Sequence, residues 1–181
     1  AREEEKSKQF FDEETGENIE IPYTAKIWVE PKASFGAPMC SALLKAYELA
    51  DAWIADHPCS YPPIVINFSG GESTDADPHG YAQSLRSLCT DDGNVLLFNC
   101  CMSMEESAEV LFPSTAAELP LELEPYAQTL FDISSEFPEN LMRIGTAFGF
   151  EISPGARCMA FNADACGIIK FLPIGSLPLG W

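Results

Sequence analysis

Between Ser69 and His79 the chain reads Ser-Gly-Gly-Glu-Ser-Thr-Asp-Ala-Asp-Pro-His, which brings Glu72, Asp75 and Asp77 together with several hydroxyls and one of the two histidines. Carboxylate and hydroxyl oxygens on a short loop are what a hard cation such as Mg2+ or Ca2+ requires. Ser69, Glu72 and Asp75 are the candidate ligands, although the stretch lacks the Gly and the distant Glu of an EF-hand loop. The same acids could instead be solvated, favouring the N-terminus of a following helix through its dipole. A third reading is hydrolytic, with Ser69 as nucleophile and His79 as base. A nucleophile elbow is Gly-x-Ser-x-Gly, whereas this chain has Asn67-Phe68-Ser69-Gly70-Gly71. Cys100-Cys101 has no motif that sets a His beside it, and Ser-Gly-Gly lacks the Lys of a phosphate-binding loop.

The loop follows Ile64 to Phe68, an apolar run of the kind a buried parallel strand needs, and so lies where α/β proteins place ligands. Val95 to Cys101 is a second such run. Between Met39 and Asp56, Met39, Leu43, Tyr47, Ala50 and Ile54 recur at helical spacing, after a Pro38 suited to a helix start and before His57-Pro58. His57 reads as a C-terminal cap. A second helix is expected from His79 to about Cys89, and Thr90 to Asn94 reads as a turn using Gly93. An earlier strand is expected over Thr24 to Pro31. Later come a short edge strand at Glu109 to Phe112, helices over Pro125 to Ser134 and Glu139 to Phe148, a last strand within Ala156 to Asp164, and a helix over Ala165 to Leu172. Strand and helix alternate, predicting an α/β fold with a doubly wound, mostly parallel sheet. The domain is expected over residues 23–181, behind a polar lead of residues 1–22.

A net charge of -18, with only ten Lys and Arg, argues against nucleic-acid binding and leaves a basic partner or a cation easier to accommodate. No apolar run is long enough to span a membrane. Seven cysteines without a Cys-x-x-Cys pair disfavour structural zinc and suit a reducing, cytoplasmic compartment.

Several stretches carry a resemblance: "GAPMCSALLKAYELADAWIADHP", "YPPIVINFSGGESTDADP", "DGNVLLFNC", "LFDISSEFPENL" and "FNAD" before "FLPIG". In order, these are similar to the C-terminal two-thirds of bacterial von Willebrand factor A (VWA) domain proteins. The resemblance implies a Rossmann-like VWA fold with Mg2+ at the strand tops, held by a first-strand Asp-x-Ser-x-Ser, a loop Thr and a turn Asp. Here the Thr position is Ala37, the Asp position is Gly70, and Asp-x-Ser-x-Ser is absent. It therefore implies a degenerate adhesion site with no cofactor and a non-catalytic protein-binding role. The contact face would be Phe35, Gly36 and Ala37 with Ser69, Gly70, Gly71, Glu72, Asp75 and Asp77. The first strand would come from a partner chain or another segment, in a split, cleaved or multi-chain assembly. The alternative is an Mg2+ site completed by that partner.

Overall fold

The computed structural model describes residues 2–11, 18–27, 36–102, 108–120, 124–163, 167–169, 172 and 174. The chain divides into two compact units, residues 1–35 and 36–181.

In the first unit β1 (Arg2–Phe11) and β2 (Asn18–Ile27) form an antiparallel ribbon, with Phe10 opposite Ile19 and Lys6 opposite Tyr23. The boundary expected after Pro22 falls inside β2, and the strand expected from Thr24 begins six residues earlier, at Asn18. The cause is legible: Ile19, Ile21, Tyr23, Ala25 and Ile27 alternate with polar residues and so share one ribbon face. Pro22 is tolerated because a two-stranded ribbon consists of edges. Phe10, Ile19, Ile21 and Tyr23 remain exposed.

The second unit is α/β. It runs α1 (Met39–Asp56), β3 (Ile64–Ser69), α2 (His79–Ser87), a small hairpin β4 (Cys89–Thr90) and β5 (Gly93–Asn94), then β6 (Leu96–Cys101) and β7 (Val110–Leu111). Next come α3 (Glu124–Ile133), α4 (Glu139–Ala147) and β8 (Met159–Phe161), followed by helical residues at 167–169, 172 and 174. The sheet order is β3-β6-β8-β7, parallel except for β7. No helix among the described residues is long and apolar enough to cross a membrane.

Every residue of β6 is buried, and alternation sends the two halves of the strand into different cores. Leu97 and Cys101 pack with Met39 and Leu43 of α1, Leu85 of α2 and Leu130 of α3. Leu96, Phe98 and Cys100 pack on the opposite face with Leu141 of α4, Phe112 and Ile174. Covering both faces explains why β6 reads as a continuous apolar run rather than an alternating one.

The similar run in β3 has a different fate. Its residues are half-buried and Phe68 is 42% exposed, because β6 is the only strand paired with it among the described residues. The expectation of a buried strand is corrected: β3 has the composition of an interior strand and the position of an edge.

Candidate functional site

The C-terminal ends of β3 and β6 carry the loop of Glu72, Asp75 and Asp77, and α1 begins beside it. Pro38, which precedes α1, supplies no side-chain cap, and the first turn of the helix contains no acid. Pro38 has no N–H, so three orphan N–H groups remain to be satisfied. Met39 N–H donates to Ala37 O at 2.8 Å, while Ala42 N–H, bonded to Pro38 O at 3.1 Å, already makes the first bond of the helix itself. The other two are served by Asp75, whose Oδ1 accepts from Cys40 N–H at 3.1 Å and Oδ2 from Ser41 N–H at 2.9 Å. Asp75 also accepts from the hydroxyls of Ser41 at 2.9 Å and Ser73 at 3.2 Å. Desolvation alone would raise the Asp75 carboxyl, but these donors outweigh it and hold it well below the usual carboxylate range.

A second tie locks the loops together. Ala37 N–H donates to Thr74 Oγ1 at 2.8 Å, and Thr74 N–H returns a bond to Ala37 O at 3.0 Å. Gly36 permits this approach: its φ is +100°, and a Cβ there would lie 2.8 Å from Thr74 Oγ1. Thus Ala37, which offers no side-chain oxygen, takes part through its backbone.

Asp77 serves α2. Its Oδ1 accepts from the His79 ring Nδ1 at 2.5 Å and from His79 N–H at 3.1 Å, bonds that lower the Asp77 carboxyl in that order. His79 Nε2 lies 3.9 Å from Asp132. Ser69 Oγ accepts from Gly71 N–H at 3.2 Å, and no hydrogen bond joins it to His79 among the described residues. The hydrolytic pair is therefore not assembled. Cys100 and Cys101 are buried, and desolvation pushes Cys101 up to about 11, the reverse of an activated thiol. His57 ends α1 as expected, its ring Nδ1 donating to Trp53 O at 2.9 Å while it stacks on Trp53.

These residues do not fit a magnesium ion. Gly70 and Ala37 supply no side-chain oxygen, and both oxygens of Asp75 are occupied by donors. Glu72 is exposed, with no hydrogen bond or ion pair among the described residues. No group of three His, Cys, Asp or Glu able to hold a metal is found among the described residues. Phe35 lies outside them.

Of the expected contact residues, Ala37 and Ser69 line a hollow of about 200 Å3, with Met39, Ala42, Asn67 and Phe68 completing its walls. Further along the same strand a wider groove of about 520 Å3 is lined by Ala46, Leu49 and Trp53 of α1 with Pro63, Ile64 and Val65. Leu49 and Trp53 are 62% and 40% exposed. Sequence reasoning missed this stripe. The signal was present, since Ala42, Ala46, Leu49 and Trp53 recur at helical spacing beside the face of Met39, Leu43 and Ala50, making the apolar surface of α1 too broad for one core contact.

The backbone of β3 completes the surface. Leu96 N–H donates to Pro63 O at 3.1 Å and Met102 N–H to Ser69 O at 2.9 Å. In a parallel ladder alternate residues bond the same neighbour, so Pro63, Val65, Asn67 and Ser69 face β6 while Ile64, Ile66 and Phe68 direct N–H and C=O to the other edge. No strand among the described residues receives them. Comparison of the chain with protein-family models, curated proteins and solved structures gives no match.

Proposed function

We propose that this chain is a non-catalytic protein-interaction module resembling a VWA domain, and that it works in an assembly where a partner chain or another segment lies along β3. The observation that carries the reading is the edge of β3, unpaired among the described residues, beside the exposed apolar stripe of α1. A strand edge without lysine, proline or bulge between Ile64 and Ser69 is a template for another strand, and natural proteins seldom leave one bare. Apolar walls at Leu49 and Trp53 add the hydrophobic contribution, and backbone bonding adds direction, as in recognition by strand addition. The strand-top loops keep a part in this reading as a rigid rim, fixed by the Ala37–Thr74 and Asp75 ties. The metal-dependent alternative would have to do without Asp75, which is committed to α1.

Native mass spectrometry of the protein from its own source, followed by amide hydrogen exchange, tests the proposal. The expected result is a second polypeptide whose removal speeds exchange at Ile64, Ile66 and Phe68. A lone chain in which those three amides are already slow would overturn it, as would a bound partner that leaves them unprotected.

A further inference from the structure

At the opposite, N-terminal end of the sheet lies a polar pocket of about 450 Å3, lined chiefly by Gln83 and Arg86 of α2, Asn94, Ser135, Glu136 and Arg157. Two of the ten basic residues meet here. Arg86 Nη1 donates to Ser134 O at 3.0 Å and Arg157 Nη1 to the same oxygen at 3.2 Å. That carbonyl follows the last turn of α3, so each guanidinium also sits at a helix C-terminus.

A helix cap explains one arginine and does not use up two. Each guanidinium carries five N–H donors in a planar fork. Beyond the Ser134 bonds, Arg157 makes one ion pair, Nη2 to Glu136 Oε1 at 3.4 Å, and packs over Phe131 at 5.4 Å. Arg86 Nε is buried and has no hydrogen-bond partner among the described residues. The pocket's other polar groups are partly engaged: Asn94 Nδ2 donates to Arg86 O, and Ser135 Oγ accepts from Leu97 N–H. Glu136 is the single acid in the lining, and its side chain is 64% exposed. Two fixed positive charges against one loosely held carboxylate leave a local excess of positive charge in a chain whose net charge is -18.

We infer that Arg86 and Arg157 form an oxyanion site, taking a small molecule through a phosphate or carboxylate group. Planar guanidinium forks match both groups in bidentate geometry. Desolvation, and then the neighbouring Arg157 charge, depress the Arg86 pKa, a cost that a bound anion would relieve. Glu136 holds the place such an anion would take and swings aside when it binds. This inference stands apart from strand addition at β3, since none of its residues belongs to that edge.

The test is an NMR titration of the full chain with inorganic phosphate, and in a second arm with acetate, at constant low ionic strength. The arginine Nε–H signals and the amides of Ser135 and Glu136 are followed. Saturable shifts in either arm support the site, and the tighter arm identifies the group preferred. Arg157→Gln should weaken binding about tenfold or more, the value of one charge-assisted hydrogen bond. Glu136→Gln should tighten it severalfold, because the competing carboxylate is gone. Glu136 is exposed, so this second variant remains informative if Arg157→Gln fails to fold. Absence of saturable shifts with both anions would overturn the inference, as would affinities that Glu136→Gln leaves unchanged.

Discussion

The two ends of the central sheet hold opposite charges and treat them differently. At the C-terminal end two of the three loop acids are spent, Asp75 closing the first turn of α1 and Asp77 the first turn of α2, while Glu72 stays exposed. At the N-terminal end two arginines share one carbonyl, and the buried Nε–H of Arg86 has no partner among the described residues. Density of charged residues in the sequence is thus a poor guide to where charge is available. A cluster whose hydrogen bonds close within the protein is architecture, while a smaller cluster whose bonds do not close is where a ligand has something to gain.

The sharpest way to break the contrast is to spoil the closed end. Gly71 has φ +98°, and a Cβ there would lie 3.0 Å from Tyr126 Cβ and 3.3 Å from Cys101 Sγ. Gly71→Ala should therefore destabilise the protein by about 2–4 kcal/mol, from left-handed backbone strain together with overpacking. Urea unfolding measures it, and a loss near zero would mean that the turn can rearrange and the end is less fixed than its hydrogen bonds suggest.

Next in size is Asn99, fully buried midway along β6. It accepts from Asn67 Nδ2 at 2.9 Å and donates to Ser134 Oγ at 2.9 Å, linking β3 to the end of α3. Asn99→Leu should cost about 1–3 kcal/mol, because Asn67 is left with an unanswered donor. If it proves neutral, the polar link between the two ends is dispensable.

What could be read from the sequence follows the same division between local and distant causes. The helix Met39–Asp56 and the buried strand β6 declare themselves because periodicity and continuous apolarity are local properties. The ribbon strand β2 was obscured by Pro22, which reads as a break in any strand that is not an edge. That β3 lies at an edge among the described residues was not legible, because apolar composition looks the same whether one neighbour pairs with it or two. Nor could the role of Asp75 be read, since the N–H groups it caps lie 34 and 35 residues earlier in the chain. Arg86 lies on α2 and Arg157 two residues before β8, and they meet only at Ser134 O at the end of α3.

Acid should discriminate between the ends before mutation does. The folded-state pKa of Asp75 is depressed below its unfolded value, so its contribution is complete above about pH 4. It is lost as pH falls below that, when the unfolded chain takes up the proton first. Asp77 behaves alike through the His79 ring and N–H. Thermal melts from pH 6 down to pH 2 should show a falling midpoint, and Asp75→Asn should lower the midpoint at pH 6 by a few degrees while flattening that fall. A variant that follows the parent at every pH would mean that the four bonds to Asp75 contribute nothing net.

The smallest expected effect belongs to the open end, and its smallness is the point. Arg86→Met keeps an apolar stem on α2 and removes one donor from Ser134 O, but Arg157 still supplies the other. The substitution also removes a buried N–H with no partner among the described residues and the repulsion between two guanidinium groups. These terms oppose each other, so stability in the absence of added anion should change by less than about 1 kcal/mol. Phosphate or acetate, whichever binds, should then raise the melting midpoint of the parent and not that of the variant, because only the parent offers the paired fork. A loss of about 3 kcal/mol without anion would reverse the reading: Arg86 would be a cap in full use, and the N-terminal end as closed as the C-terminal one.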